Sequence, residues 1–137
     1  MSPDGHAPPE EHPLPIAEGV LLMPLVGVLN EVRAEQMLET LLAGISRRGA
    51  RVAIIDITGV SDVDSHVAHG ILRAARAAAL LGTRVFLTGI RGPFAQTLLA
   101  LDANFGGLVT CSTLQDGVAR ALRGCHAEGY ASPRWAD

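Results

Sequence analysis

From residue 20 to residue 122 the chain alternates between short runs of aliphatic and β-branched residues and longer stretches whose apolar side chains return every three or four positions. A strand joined to a parallel neighbour needs a crossover of a dozen or more residues, usually a helix, so this alternation implies parallel pairing. It restricts the chain to an α/β domain with a mixed, mostly parallel sheet packed with about four helices. At 137 residues there is room for one such core and not for two.

The first apolar run, VLLMPLVGV at residues 20–28, contains Pro24, which cannot donate to a central ladder, so an edge strand or two short strands meeting at the proline is expected. Asn30 then offers a helix cap, Met37, Leu38, Leu41, Leu42 and Ile45 form a helical stripe, and Arg47, Arg48 and Gly49 close it. VAIIDI at residues 52–57 and RVFLT at residues 84–88 are short enough and apolar enough to be strands buried on both faces. Between them a helix runs from about His66, with Val67, Ile71, Ala74, Ala78 and Leu81 on one stripe and Gly82 as its stop. Pro93 opens a third helix carrying Phe94, Thr97, Leu98 and Leu101. Gly106 and Gly107 break the chain before a last strand at residues 108–110 and a helix at residues 114–123. Residues 1–13 are expected to be a flexible proline-rich leader, residues 14–123 the domain, and residues 124–137 a C-terminal tail carrying Tyr130 and Trp135.

Composition removes several classes of chemistry. All 11 basic residues are arginine, which excludes a P-loop lysine, a Schiff-base lysine and a lysine general base. A net charge of −3 without a basic face argues against nucleic acid as a direct partner. No apolar run approaches the ~20 residues that span a bilayer, and the N-terminus does not read as a signal peptide, so a cytoplasmic protein away from the membrane is expected. Cys111 and Cys125 lack zinc-site spacing and are too few for a disulfide framework, as expected of reduced thiols.

In open α/β sheets ligands and partners meet the carboxyl ends of the strands, which here means the loops TGVSDVDS and GIRG. Ser65 follows Asp62 and Asp64 and falls where the second helix should be capped. The commoner role of a serine there is to accept a backbone N–H. The same place suits a phosphoryl group, which free N–H groups and the helix dipole stabilise. A rival reading takes Asp56, Asp62 and Asp64 as a loop binding a metal, a nucleotide or another small molecule, although a solvated acidic loop is commoner. His66 and His69 share a helical face without a third ligand at a suitable spacing, so no metal is expected. Ser65 and His66 are adjacent, point apart, and lack the G-x-S-x-G elbow of a hydrolase. No G-x-G-x-x-G fingerprint follows a strand, and no cofactor is expected.

The stretches IIDITGVSDVDSHVAHGIL and VFLTGIRGPFAQTLLAL together resemble a STAS domain, of the sulfate-transporter and anti-sigma-factor-antagonist family. The likeness spans residues 14–122 and is greatest to stressosome scaffold and co-antagonist proteins, which carry a D-[ST]-x-[VI]-A turn and an L-x-G-I-[RQ]-P segment. Here the turn reads Asp64-Ser65-His66-Val67-Ala68, and the segment reads Leu87-Thr88-Gly89-Ile90-Arg91 with Gly92 inserted before Pro93. The resemblance implies a non-enzymatic phospho-switch with Ser65 as the acceptor and Thr97 as a second one. It implies partner contacts through Asp62, Asp64, Ser65, His66, Gly89, Ile90 and Arg91. The implied partners are a serine/threonine switch kinase or anti-sigma factor and other STAS-domain proteins, with self-association into a homodimer or larger assembly. Scaffold proteins of this kind carry a folded sensor domain ahead of the motif, where this chain has its proline-rich leader.

Overall fold

The structure is a computed structural model that describes residues 12–101 and 108–127. Nine elements follow in the order β1 (Leu14–Ala17), β2 (Val20–Val28), α1 (Glu31–Arg48), β3 (Val52–Asp62), α2 (Ser65–Leu80), β4 (Arg84–Thr88), α3 (Gly92–Leu101), β5 (Val109–Cys111) and α4 (Leu114–Ala127). The strands lie side by side in chain order, β1 antiparallel to β2 and every later pair parallel.

Because each crossover steps to the adjacent strand in the same direction, α1, α2 and α3 are brought to one face of the sheet. There Met37, Leu41 and Ile45 of α1, Ile71 and Leu72 of α2, and Phe94 and Leu98 of α3 bury against Leu21, Met23, Leu25, Ala53, Ile55, Val85 and Leu87. The opposite face carries α4, whose Ala121, Val118 and Leu122 pack on Val20, Val52, Ile54 and Phe86. Residues 53 to 55 are fully buried, as the short apolar run predicts for a strand covered on both sides.

Helix ends follow their capping residues. The Asn30 side chain accepts from the Arg33 N–H at 2.8 Å, and Gly49, at φ 61°, donates to the Ile45 carbonyl. Gly82, at φ 83°, turns the chain after α2. α4 continues to Ala127, four residues past the expected end. Gly106, Gly107, Tyr130, Trp135 and most of the leader lie outside the described residues.

Three expectations change. β2 is one continuous strand and stands second in the sheet, because residues 14–17 form the edge strand β1 beside it. β1 pairs only with Val20, Leu21 and Leu22, so Pro24 lies beyond the covered stretch, and the β2–β3 register shifts between Pro24 and Val26. The strand expected at residues 52–57 runs on to Asp62, since the outer half of β2 supplies partners: Val26 pairs with Gly59, Gly27 with Val60 and Val28 with Asp62. Ser65 is not the cap of α2. Asp64 takes that role, its carboxylate accepting from the Val67 N–H at 3.0 Å, and Ser65 is the first helical residue.

Candidate functional site

β3 and β4 are adjacent and parallel and both turn away, toward α2 and α3, on the carboxyl side of the sheet, β4 at Thr88, level with Asp56, and β3 only after it has run on beside β2 to Asp62. A buried knot of polar groups fixes where β4 leaves. The Asp56 carboxylate, 8% exposed, accepts from the Thr88 hydroxyl at 2.6 Å and from the Thr58 hydroxyl at 2.9 Å. A buried carboxylate must be met by donors to be tolerated, and here the donors come from its own strand and from β4, which locks the end of β4 to the middle of β3. Gly89 follows at φ 80°, and a Cβ there would lie 2.2 Å from Thr58 Oγ1 and 2.6 Å from the Thr58 nitrogen. Only glycine lets β4 turn this close to β3. Arg91 completes the tie by donating to the Thr58 carbonyl at 3.3 Å.

On the β3 side, Val63 tucks against the core and Asp64 turns back to cap α2. Ser65 and His66 then stand exposed on the first turn, with Val67 and Ala68 buried behind them. Capping by Asp64 leaves the Ser65 hydroxyl outside the helix-starting hydrogen bond that a serine at that place was expected to make. Gly89 and Ile90 are half-buried and Arg91 is exposed. Of Asp62, the backbone is paired with Val28. Thr97 lies apart from these turns, one helical step into α3, half-buried, its hydroxyl donating to the Pro93 carbonyl at 3.1 Å.

Two carboxylates of the rival reading are already engaged elsewhere. Asp56 is spent within the sheet and Asp64 on a helix cap, and among the described residues no group of three His, Cys, Asp or Glu is placed to hold a metal ion. His66 and His69 are exposed on α2. The sequence reading missed the Asp56–Thr88–Thr58 knot. Its signal was an Asp at the end of one apolar run and a Thr at the end of the next, which become level when the two strands are parallel.

Among the described residues no helix is long and apolar enough to cross a membrane. Over 109 residues the chain is 41% identical to the RsbT co-antagonist protein RsbRA of Bacillus subtilis, covering 80% of this chain and 40% of that one. It therefore spans well under half the length of that relative. An RsbS variant from Moorella thermoacetica superposes with a TM-score of 0.74 at 25% identity, over 86% of this chain and 99% of that one. A chain from the structure of the stressosome, described as a signal integration and transduction hub, superposes with a TM-score of 0.65 at 28% identity, over 81% of this chain and 96% of its own length. Residues 12–119 match the STAS domain family, and the chain belongs to it.

Proposed function

We propose that the chain is a stressosome-type regulatory module that binds or releases a switch serine/threonine kinase or anti-sigma factor according to phosphorylation of Ser65. One observation carries this reading. Ser65 is exposed on the first turn of α2, and the cap is supplied by Asp64, so the hydroxyl can be modified without dismantling the helix start. A phosphoryl group there gains from the free N–H groups and the helix dipole and meets repulsion from Asp64. The result is a change in local charge and shape on a rigid face. The likeness to a co-antagonist of RsbT and to a stressosome chain supports the same assignment.

In this reading the partner touches Asp62, Asp64, Ser65 and His66 from one turn and Gly89, Ile90 and Arg91 from the other. The chemistry of phosphoryl transfer belongs to the kinase, and the module has no catalysis of its own. Thr97 is the second acceptor, slower than Ser65 because its hydroxyl must first leave the Pro93 carbonyl. The module works in the cytoplasm, without cofactor, metal, nucleic acid or membrane, and associates with itself and with other STAS domains.

The test is affinity capture from the native extract with wild type, Ser65→Ala and Ser65→Asp as baits, followed by phosphosite mapping of the recovered chain. The expected result is a kinase-class partner held by wild type and Ser65→Ala and lost by Ser65→Asp, with phosphate on Ser65 of the wild type. Equal capture by all three baits would remove the switch.

A further inference from the structure

The end of the sheet opposite the Ser65 turn carries a groove of its own. Residues 47–51 read RRGAR, so the chain leaves α1 and enters β3 with Arg47, Arg48 and Arg51 close together, and all three are exposed. This turn is stitched to the hairpin between β1 and β2, since the Gly19 carbonyl accepts from the Arg51 N–H at 2.8 Å and from the Val52 N–H at 3.0 Å. Nearer the middle of the sheet, Pro13 lies against α1 at Gly44, where an added Cβ would meet the Pro13 Cγ at 2.7 Å. Between these two ties, β1 and the last turn of α1 border a cavity of about 680 Å³. Its lining is amphipathic. Pro15, Ile16, Ala17 and Leu21 stand on the hairpin side and Arg47 and Arg48 on the α1 side, with Glu18 at the turn.

We propose that this groove holds an acidic peptide segment of a partner protein, with an apolar side chain of the segment on Ile16 and Ala17 and its carboxylates on Arg47 and Arg48. Charge selects the class. The α1 macrodipole brings about half a negative charge to this end and Glu18 one more, so Arg47, Arg48 and Arg51 leave the groove net positive. Among the described residues neither Arg47 nor Arg48 has an ion-pair partner. A guanidinium fork matches a carboxylate bidentately, which suits glutamate and aspartate side chains. Nucleic acid fits less well, because so few arginines neutralise few phosphates and the whole chain carries −3. Shape points to a segment and not to a small molecule, since the groove runs along β1, the edge strand, whose outer side has no neighbouring strand. The site lies at the other end of the sheet from Ser65 and does not depend on the phosphorylation reading. A partner tethered here stays bound whatever the state of Ser65.

Three short labelled peptides test it by fluorescence anisotropy: glutamates with leucine at every third position, the same with lysine for glutamate, and the same with glycine for leucine. The chains compared are wild type, Ser65→Asp, and a double variant carrying Arg47→Gln and Arg48→Gln, which removes the charge without placing an acid at the helix end. Circular dichroism confirms that each is folded. The glutamate–leucine peptide should bind wild type and Ser65→Asp alike, weaken as salt rises, and lose about fivefold or more in affinity for the double variant. The glycine peptide should bind more weakly and the lysine peptide not at all. Amide shifts of wild type on titration should gather at residues 15–21 and 47–51, a readout that needs no variant. Absence of binding would overturn the proposal, as would affinity kept by the double variant, equal binding of the glycine peptide, or shifts centred elsewhere. Displacement of the bound peptide by excess unlabelled chain would give the groove to a second copy, and tighter binding of a single-stranded RNA oligonucleotide would give it to nucleic acid; either overturns the assignment to an acidic partner.

Discussion

Asp64 and Ser65 divide between them two duties that the sequence alone would give to either. A cap needs a short acceptor at a residue still in extended conformation, and Asp64 has φ −105° and ψ −176°. Replacing it with alanine should cost about 1 kcal/mol of folding stability, whereas Ser65→Ala should stay within about 0.5 kcal/mol. Urea denaturation of both variants checks this, and an equal loss from Ser65→Ala would return the cap to the serine. Thr88→Val is the complementary probe of the knot behind the site. It removes a hydroxyl that meets the buried Asp56 carboxylate and should cost about 1–3 kcal/mol, far more than the isosteric change would cost on the surface. At Cys111, burial pushes the thiol above its ordinary range, opposed by Arg120, whose guanidinium lies 3.3 Å from the sulfur. The folded state then keeps its proton where the unfolded chain has begun to lose it. Stability is complete below the ordinary thiol value of about 8.5 and falls as pH rises past it. Cys111→Ala should flatten the drop in Tm between neutral pH and about pH 10, and identical slopes would refute the assignment.

Elements were legible where local chemistry and burial agree. Asn30 and Gly49 bound α1 as capping rules predict, and the runs at residues 52–57 and 84–88 are strands because continuous apolar sequence suits a strand covered on both faces. The missed pieces are those whose conformation depends on a neighbour. LPIA of β1 has exposed leucine, proline and isoleucine and becomes a strand only by pairing with β2. TGVSD has little intrinsic β preference and extends β3 because β2 is long enough to pair with it. The outer half of β2 raises its own problem, since β1 does not reach it and Val26 and Val28 are 62% and 60% exposed. Open edges invite strand addition. Arg33 meets this by donating one guanidinium nitrogen to the Val26 carbonyl at 3.0 Å and to the Val28 carbonyl at 2.6 Å, which ties α1 to the edge and occupies its acceptors. Arg33→Ala should cost about 1 kcal/mol and increase light scattering on heating at fixed protein concentration. Unchanged scattering would leave Arg33 as a strut without a guarding role.

At the scale of the molecule, the turn that carries Asp64 and Ser65 stands in front of a helix whose inner face is already committed to the core, Val67, Ala68, Ile71 and Ala74 being fully buried. Ser65 and His69 are four residues apart on the exposed side of α2 and are direct neighbours, so a charge added at Ser65 acts on the first two turns of that side. The same charge meets the helix dipole favourably and Asp64 unfavourably, two contributions of opposite sign. Ser65→Asp should accordingly release the kinase while leaving folding stability within about 0.5 kcal/mol of wild type, as read by urea denaturation. A loss of about 2 kcal/mol or more would mean that the switch acts through the fold and not through the surface that meets the partner.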